Sequence, residues 1–181
     1  PGALHKVGYH ATGVIGTMSA AYVASRLIDL SREQTRSASG IAGSQAAGIM
    51  ECWADGTWSK FLHPGFAAHN GIIAANLAKA NFTGPATVLE GRFGLIRSHI
   101  QDKDRQFDFA RMAGGLGDKW ESREISFKPY PTAHFIHSFL DAALFLVRNA
   151  GLKAADVKTI MCPIAEHMVP IVCEPVHEKI K

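Results

Sequence analysis

Alanine and glycine dominate the first half of the chain, where bulky side chains are comparatively few. Residues 38–48 (ASGIAGSQAAG) illustrate this composition, which recurs around residues 67–80. Small side chains at helical spacing let helices approach each other closely and lie buried on several sides. The first half therefore predicts a bundle of closely packed helices.

The density of charged residues changes midway along the chain. Residues 1–90 contain six Lys/Arg and five Asp/Glu, whereas residues 91–181 contain thirteen and eleven. The second half also has ordinary amphipathic patterning. We therefore predict an all-helical segment over residues 1–95 and a segment of a smaller α+β domain over residues 96–181, with the boundary between residues 91 and 115.

Helices are predicted in the first half at residues 14–30, 32–53 and 63–80. Ser31 followed by Gln34 is a capping-box pattern for the second of these helices. Asp55-Gly56 indicates a turn, and Pro64 is predicted to stand at the first position of the third helix, where its missing N–H does no harm.

The second half predicts a mixture of strands and one long helix. Alternation of apolar residues favours a strand over residues 123–128, and runs rich in Val and Ile favour strands at 157–162 and 168–173. A helix is predicted over residues 132–149, with Gly151 as its C-terminal signal. Pro170 restricts the last strand to a sheet edge.

Composition excludes several classes of protein. The apolar stretches are shorter than a membrane span needs, and no signal peptide is visible. The net charge of +3 is too mild, and Lys/Arg runs are lacking, for a nucleic-acid-binding protein. The three Cys residues form no CxxC motif, which indicates a reducing compartment. We expect a cytoplasmic protein that binds neither membranes nor nucleic acid.

The first cluster that could carry chemistry is residues 9–13 (YHATG), at the start of a predicted helix. Thr12 and the free N–H groups behind it could hold an anion at the helix N-terminus, with His10 beside it. The alternative is that Thr12 only caps the helix and that His10 is a surface residue.

The second cluster is residues 58–65 (WSKFLHPG), in which Lys60 and His63 flank the start of a predicted helix. Small residues in the following turns would let a ligand approach closely. The alternative is a solvated lysine and a capping histidine.

The third cluster is residues 127–137 (FKPYPTAHFIH). Lys128 precedes a rigid turn that contains Tyr130, and His134 and His137 follow three residues apart at the start of a helix. No carboxylate or cysteine completes a metal-ligand set nearby, so we predict no metal site. A catalytic or carboxylate-binding site is the functional interpretation, and solvated side chains are the alternative.

Basic groups outnumber acidic groups across the three clusters. This balance suits an anionic substrate, most simply a small di- or tricarboxylate.

Several long motifs in these regions resemble the MmgE/PrpD family, whose members include 2-methylcitrate dehydratase, iminodisuccinate epimerase and cis-aconitate decarboxylase. The matching segments occur in the family's order and cover most of the chain: residues 8–13 (GYHATG), 38–50 (ASGIAGSQAAGIM), 55–71 (DGTWSKFLHPGFAAHNG), 82–94 (FTGPATVLEGRFG) and 125–143 (ISFKPYPTAHFIHSFLDAA).

The resemblance implies a large helical domain and a smaller α+β domain with an active site between them. It also implies homodimers and chemistry without a cofactor. Family chains are much longer, so this stretch corresponds to their middle portion. The implied catalytic residues are His10, Lys60, Lys128 and His137; Thr12, His63, Tyr130 and His134 are expected to bind substrate.

The implied reaction removes a proton next to a carboxylate and protonates a leaving hydroxyl, as in dehydration of a 2-methylcitrate-like substrate in propionate metabolism. Epimerisation of an iminodisuccinate-like dicarboxylate uses the same proton abstraction, and an inactive fragment is a third alternative. The decarboxylase branch resembles this segment with a His where Ala133 stands, and His134 is displaced by one residue. This departure favours dehydration over decarboxylation.

Overall fold

The computed structural model describes residues 2–102 and 104–179. The chain divides into two compact units, residues 1–105 and 106–181. The described helices of the first unit are α1 (Ala3–Lys6), α2 (Ala11–Leu27), α3 (Arg32–Gln45), α4 (Cys52–Asp55), α5 (Ser59–Lys79) and α6 (Leu95–Ile100). Those of the second unit are α7 (Phe109–Ala113), α8 (His137–Ala150), α9 (Val169–Val172) and α10 (Val176–Lys179).

The predicted close packing of helices is confirmed in the first unit, where α2, α3 and α5 pack against one another. At Gly71 of α5, an added Cβ atom would lie 2.4 Å from the Cβ atom of Ala20 and 2.6 Å from the backbone nitrogen of Ala21, both on α2. Only glycine fits such an approach, because the two helix backbones nearly touch.

Small apolar side chains fill the core of this unit. Its fully or almost fully buried residues come from α2, α3 and α5: Val14, Ala21, Ala38, Ala42, Ala74 and Ala78. Because these side chains are short, the core is thin, and burial of each one contributes less than burial of a Leu or Phe would.

The predicted start of α3 is confirmed, whereas its predicted end is not. The capping box is confirmed: Gln34 N–H donates to Ser31 Oγ at 3.2 Å, and Ser31 N–H donates to Gln34 Oε1 at 3.1 Å. The predicted helix over 32–53 is wrong in its second half, because α3 ends at Gln45. Gly48 has φ +124°, a backbone conformation that a continuous helix does not contain.

The position of Pro64 also differs from the prediction. Helix α5 begins at Ser59, so Pro64 is its sixth residue and not its first. Proline at this point leaves the Lys60 carbonyl without its usual N–H donor. The helix nevertheless continues to Lys79, because its inner face is buried against α2 and α3.

The three strands predicted in the second unit are wrong for the residues that the structure describes. Residues 121–124 and 166–168 form 3₁₀ turns, residues 169–172 are helical, and no strand forms over 125–128 or 157–162. A strand needs a neighbour to satisfy its backbone hydrogen bonds, and this unit provides none in its described part. The apolar side chains of Ile125 and Phe127 are accordingly 64% and 88% exposed.

Helix α8 is the main element of the second unit. It starts at His137, five residues later than predicted, after a 3₁₀ turn over residues 134–136, and Gly151 ends it with φ +63° as predicted. His137 is the one buried residue among the residues of this unit whose burial is described. Apolar residues of α8, including Phe145 and Val147, remain exposed.

None of the helices in the described ranges combines the length and the apolarity needed to cross a membrane. The three cysteines are all free thiols: Cys52 is buried, Cys173 is half-buried and Cys162 is exposed.

Candidate active site

A short pairing of two backbone segments positions the first cluster. Tyr9 and Ile49 form an isolated antiparallel bridge. The N–H of His10 donates to the Gly48 carbonyl at 2.8 Å, and the N–H of Met50 donates to the Gly8 carbonyl at 2.8 Å. These bonds fix the start of α2 beside the turn that follows α3.

His10 and His63 contact each other directly. Their Nδ1 atoms are 2.8 Å apart and their ring centroids 5.0 Å apart. The imidazole of His63 lies against Gly48, where an added Cβ atom would come within 3.3 Å of the ring. The structure therefore brings together two residues, predicted from separate motifs, as one hydrogen-bonded pair.

Three further side chains surround this pair. The ring of His5, on α1, stacks on His10 with centroids 6.3 Å apart, and it meets the Trp53 ring edge-on at 6.0 Å. The Nζ atom of Lys60 lies 5.5 Å from the centre of the Trp53 ring, within the range of a cation–π contact. Lys60 itself is exposed to solvent.

Burial and neighbouring positive groups keep the histidines of this cluster neutral. Loss of solvation lowers the pKa of His10 to about 4, with His63, Lys60 and His5 contributing to the same shift. The pKa of His63 is lowered by burial and then by Lys60, and that of His5 is lowered chiefly by burial. At neutral pH each ring is therefore a neutral imidazole with one lone pair, and in the His10–His63 pair one of the two lone pairs accepts the hydrogen bond between the rings.

A cavity of about 440 Å³ opens beside His63. This volume is typical of sites for small molecules. Its walls come from α2, the end of α3, the segment that follows α3, and α5: Gly13, Thr17, Gln45, Ala47, Gly48, Ile49, Ser59, Leu62, His63, Phe66, Ala67 and Asn70.

Thr12 is not the N-cap of α2. The helix begins at Ala11, so the N-cap is His10, and Thr12 is an exposed residue of the first turn. The His10 side chain makes no capping hydrogen bond, which leaves its ring nitrogens for other partners.

In the second unit, Lys128 and Tyr130 are fixed by nearby groups. Lys128 Nζ donates to the Thr132 carbonyl at 3.1 Å. The Tyr130 hydroxyl donates to Asp141 Oδ1 at 2.5 Å, and this bond raises the pKa of Tyr130.

His137 is surrounded by aromatic rings in the same unit. It meets Tyr130 edge-on with centroids 5.3 Å apart, and its ring lies 4.9 Å from that of His134. Its Nε2 atom is buried and has no hydrogen-bond partner among the described residues. His134 and His137 thus lie together, as their spacing predicted, and Tyr130 joins them.

Three residues of these clusters, His5, Trp53 and Asp141, were not predicted from the sequence. Asp141 had a usable signal, because it stands four residues after His137 and so lies on the same face of α8. Neither His5 nor Trp53 had such a signal. His5 stands five residues before His10 but in a separate helix, and Trp53 meets His5 and Lys60 only in the folded chain.

The described residues contain no group of three or more His, Cys, Asp or Glu side chains arranged to hold a metal ion.

Comparison with known protein families identifies the first unit. Residues 2–108 match the model of the MmgE/PrpD N-terminal domain, which is more than half of the chain. The chain belongs to the MmgE/PrpD family. The resemblance inferred from the sequence motifs is thereby confirmed.

Three proteins similar to this chain have names that refer to cis-aconitate decarboxylase. Cis-aconitate decarboxylase-like protein oryM of Aspergillus oryzae is 32% identical over 145 residues, which are 78% of this chain and 30% of that protein. Cis-aconitate decarboxylase of Aspergillus terreus is 28% identical over 138 residues, 75% of this chain and 28% of that protein. The human cis-aconitate decarboxylase is 32% identical over 155 residues, 83% of this chain and 30% of that protein. The chain therefore spans less than a third of the length of these curated relatives.

Proposed function

We propose that this MmgE/PrpD protein is a lyase that acts on a small di- or tricarboxylate and moves a proton on a carbon next to a carboxylate. The observation that carries this proposal is the cluster of His10, His63 and Lys60. It combines a neutral, hydrogen-bonded imidazole pair, which keeps one free lone pair to accept a proton, with a cation that can hold a carboxylate.

In this proposal, His10 is the proton carrier of the first unit. Its low pKa makes it a weak base in the free protein, because burial removes solvation from the protonated ring and because His63, Lys60 and His5 disfavour an added positive charge. A substrate carboxylate paired with Lys60 would cancel that charge and raise the pKa of His10. Substrate binding would thus activate the base that the reaction needs.

For the second unit we propose the roles implied by family membership. Lys128 pairs with a substrate carboxylate and stabilises the enolate-like charge, an effect worth roughly 10²–10³ in rate. His137 transfers a proton. This role is supported by its buried Nε2 atom, which has no hydrogen-bond partner among the described residues. The proposal includes no cofactor.

Two lyase reactions are candidates. In dehydration, a base takes the proton next to the carboxylate, an acid protonates the leaving hydroxyl, and a carbon–carbon double bond forms as water departs. Ala133, in place of the decarboxylase histidine, favours this reaction on a 2-methylcitrate-like substrate. In decarboxylation, CO₂ leaves its bonding electrons on carbon, which is then protonated; the names of the relatives favour this reaction on a cis-aconitate-like substrate.

Product analysis with the intact protein tests both candidates. Purified protein would be incubated separately with 2-methylcitrate and cis-aconitate, and the products followed by NMR and by CO₂ release. A new alkene without CO₂ supports dehydration, and CO₂ release supports decarboxylation. Absence of turnover with both substrates would contradict the lyase proposal, and a change in chirality alone would replace it with epimerisation.

We also propose that the protein forms a homodimer, as family membership implies. Large apolar side chains on α2 and α5 support this proposal, since Val23, Leu27, Phe66 and Ile72 are each more than half exposed. Light scattering coupled to size-exclusion chromatography tests it, and a strictly monomeric intact protein would contradict it.

A further inference from the structure

The short contact between His10 and His63 constrains the protons on both rings. A neutral imidazole carries one N–H group, on either Nδ1 or Nε2. The two Nδ1 atoms are 2.8 Å apart, so one of them must donate and the other must accept. The two rings therefore have opposite tautomers, and the direction of the bond decides which nitrogen of His10 has a free lone pair.

Backbone contacts hold the two rings in this arrangement. His10 is the N-cap of α2 and its N–H is bonded to the Gly48 carbonyl, while the ring of His63 rests on the Cα side of the same glycine. Gly48 thus contacts both partners. A side chain at this position would push the His63 ring away, and the φ of +124° would also be strained for any other residue.

Other charged and titratable groups face the pair from neighbouring elements. His5, on α1, stacks on His10. Lys60, at the start of α5, lies beside Trp53 of α4. These are the described groups whose charges act on the pair, and none is acidic. The resting pair is therefore neutral, with one proton between the two Nδ1 atoms.

We propose, on the basis of the proposed function, that His63 is a positioning residue for His10. Its Nδ1 accepts the Nδ1–H of His10, and this leaves the Nε2 lone pair of His10 as the base. His63 would act through His10 and is not required to touch the substrate.

The proton transfer in the reaction favours a hydrogen bond in which His10 donates and His63 accepts. When His10 Nε2 takes a proton from the substrate carbon, the electron pair of the broken C–H bond stays on the substrate as an enolate-like charge. His10 becomes an imidazolium whose existing Nδ1–H bond to His63 is then charge-assisted and stronger. With the opposite direction, the only lone pair of His10 lies inside the bond, and the ring could accept a proton only by breaking it.

Nitrogen NMR measures the tautomers directly. We would record long-range ¹H–¹⁵N spectra of the histidine rings in ¹⁵N-labelled protein near pH 7, and assign them with His10→Gln and His63→Asn. The expected result is an N–H on Nδ1 of His10 and a bare Nδ1 on His63. An N–H on Nε2 of His10 would overturn the proposal.

Substitutions of His63 provide matched controls. Asn places its amide oxygen near the position of Nδ1, so His63→Asn should keep the His10 tautomer. Gln extends beyond that position and Leu has no acceptor, so His63→Gln and His63→Leu should release His10 into a mixture of tautomers. An unchanged tautomer in both of these variants would overturn the proposal. Gln keeps a polar side chain, so this comparison remains available if the Leu variant does not fold.

Turnover by the intact protein provides an independent readout. We expect kcat to fall roughly 10–100-fold in His63→Gln, with KM changed much less, and to recover in His63→Asn. A rise in KM with kcat unchanged would make His63 a substrate ligand and refute the positioning role. If the tautomers are as expected but the wild-type protein has no lyase activity, the proposed function fails while the assignment of the bond stands.

Discussion

Acid should destabilise the first unit through His10, and His10→Gln should remove this effect. The unfolded His10 titrates near 6.5, whereas the folded one titrates at about 4. As pH falls from 7, the unfolded state takes up a proton that the folded state does not, so the free energy of unfolding decreases. The loss starts near pH 6.5 and levels off below about pH 4.

The size of the effect follows from these two pKa values. At pH 5 the unfolded ring is protonated and the folded ring is still neutral. For a fully buried ring this lowers the free energy of unfolding by about 2 kcal/mol, since each pH unit below the unfolded pKa is worth about 1.4 kcal/mol. His10 is only partly buried, so solvent screening reduces this to about 1 kcal/mol. His5 and His63 also have lowered pKa values, and their share of the pH dependence should remain in the variant.

Urea unfolding at pH 7 and pH 5, followed by tryptophan fluorescence, measures the effect. Between these pH values, the wild-type free energy of unfolding should fall by about 1 kcal/mol more than that of His10→Gln. With an m-value of about 2 kcal/mol/M, this difference displaces the urea midpoint by about 0.5 M. Equal pH dependence in both proteins, with His10 titrating near 6.5 by NMR, would refute the reasoning.

Three further predictions concern the site and the packing of α5. Adding citrate should raise the pKa of His10 in an NMR titration, because a bound carboxylate offsets the charge of Lys60; the same rise in Lys60→Ala would contradict this cause. Lys128→Ala should lower turnover of the intact protein by orders of magnitude with little change in melting temperature, since Lys128 is exposed; turnover like that of the wild type would reject its proposed role. Gly71→Ala should cost about 1–3 kcal/mol of stability in chemical denaturation, because its Cβ meets the α2 backbone, whereas Gly65→Ala on the same helix has open space and should be neutral or stabilising; equal effects would contradict the packing account.

The helical half of the fold was predictable because its signals are local or compositional. The capping box at Ser31 needs only four residues, and small side chains at helical spacing already imply close packing. The end of α3 was harder to predict. The preference of Gly48 for a positive φ becomes visible only when its backbone is paired with the start of α2.

The second unit was predicted less well because strands depend on partners. Residues 125–128 and 157–162 have the composition of strands, but composition does not supply a neighbour to complete the ladder. The helix at 137–150 was predictable because its hydrogen bonds are internal and Gly151 marks its end.

Sequence motifs identified most members of the candidate site but not their geometry. His10 and His63 belong to separate motifs, and no spacing rule predicts that their Nδ1 atoms meet. The same holds for the stacking of His5 on His10, because α1 ends at Lys6 and the two residues do not share a helix.

Solvent-deuterium incorporation tests the central claim, proton transfer at a carbon next to a carboxylate, most directly. The intact protein would be incubated in D₂O with cis-aconitate and with 2-methylcitrate, and the carbon-bound hydrogens followed by NMR, with His10→Gln as the matched control. With the wild-type protein we predict deuterium on carbon in the decarboxylation product or, through return of the abstracted proton, in recovered substrate, or loss of a carbon-bound hydrogen as the alkene forms; the variant should show a large reduction. A folded wild-type protein that leaves every carbon-bound hydrogen unchanged, or equal changes with both proteins, would contradict the account.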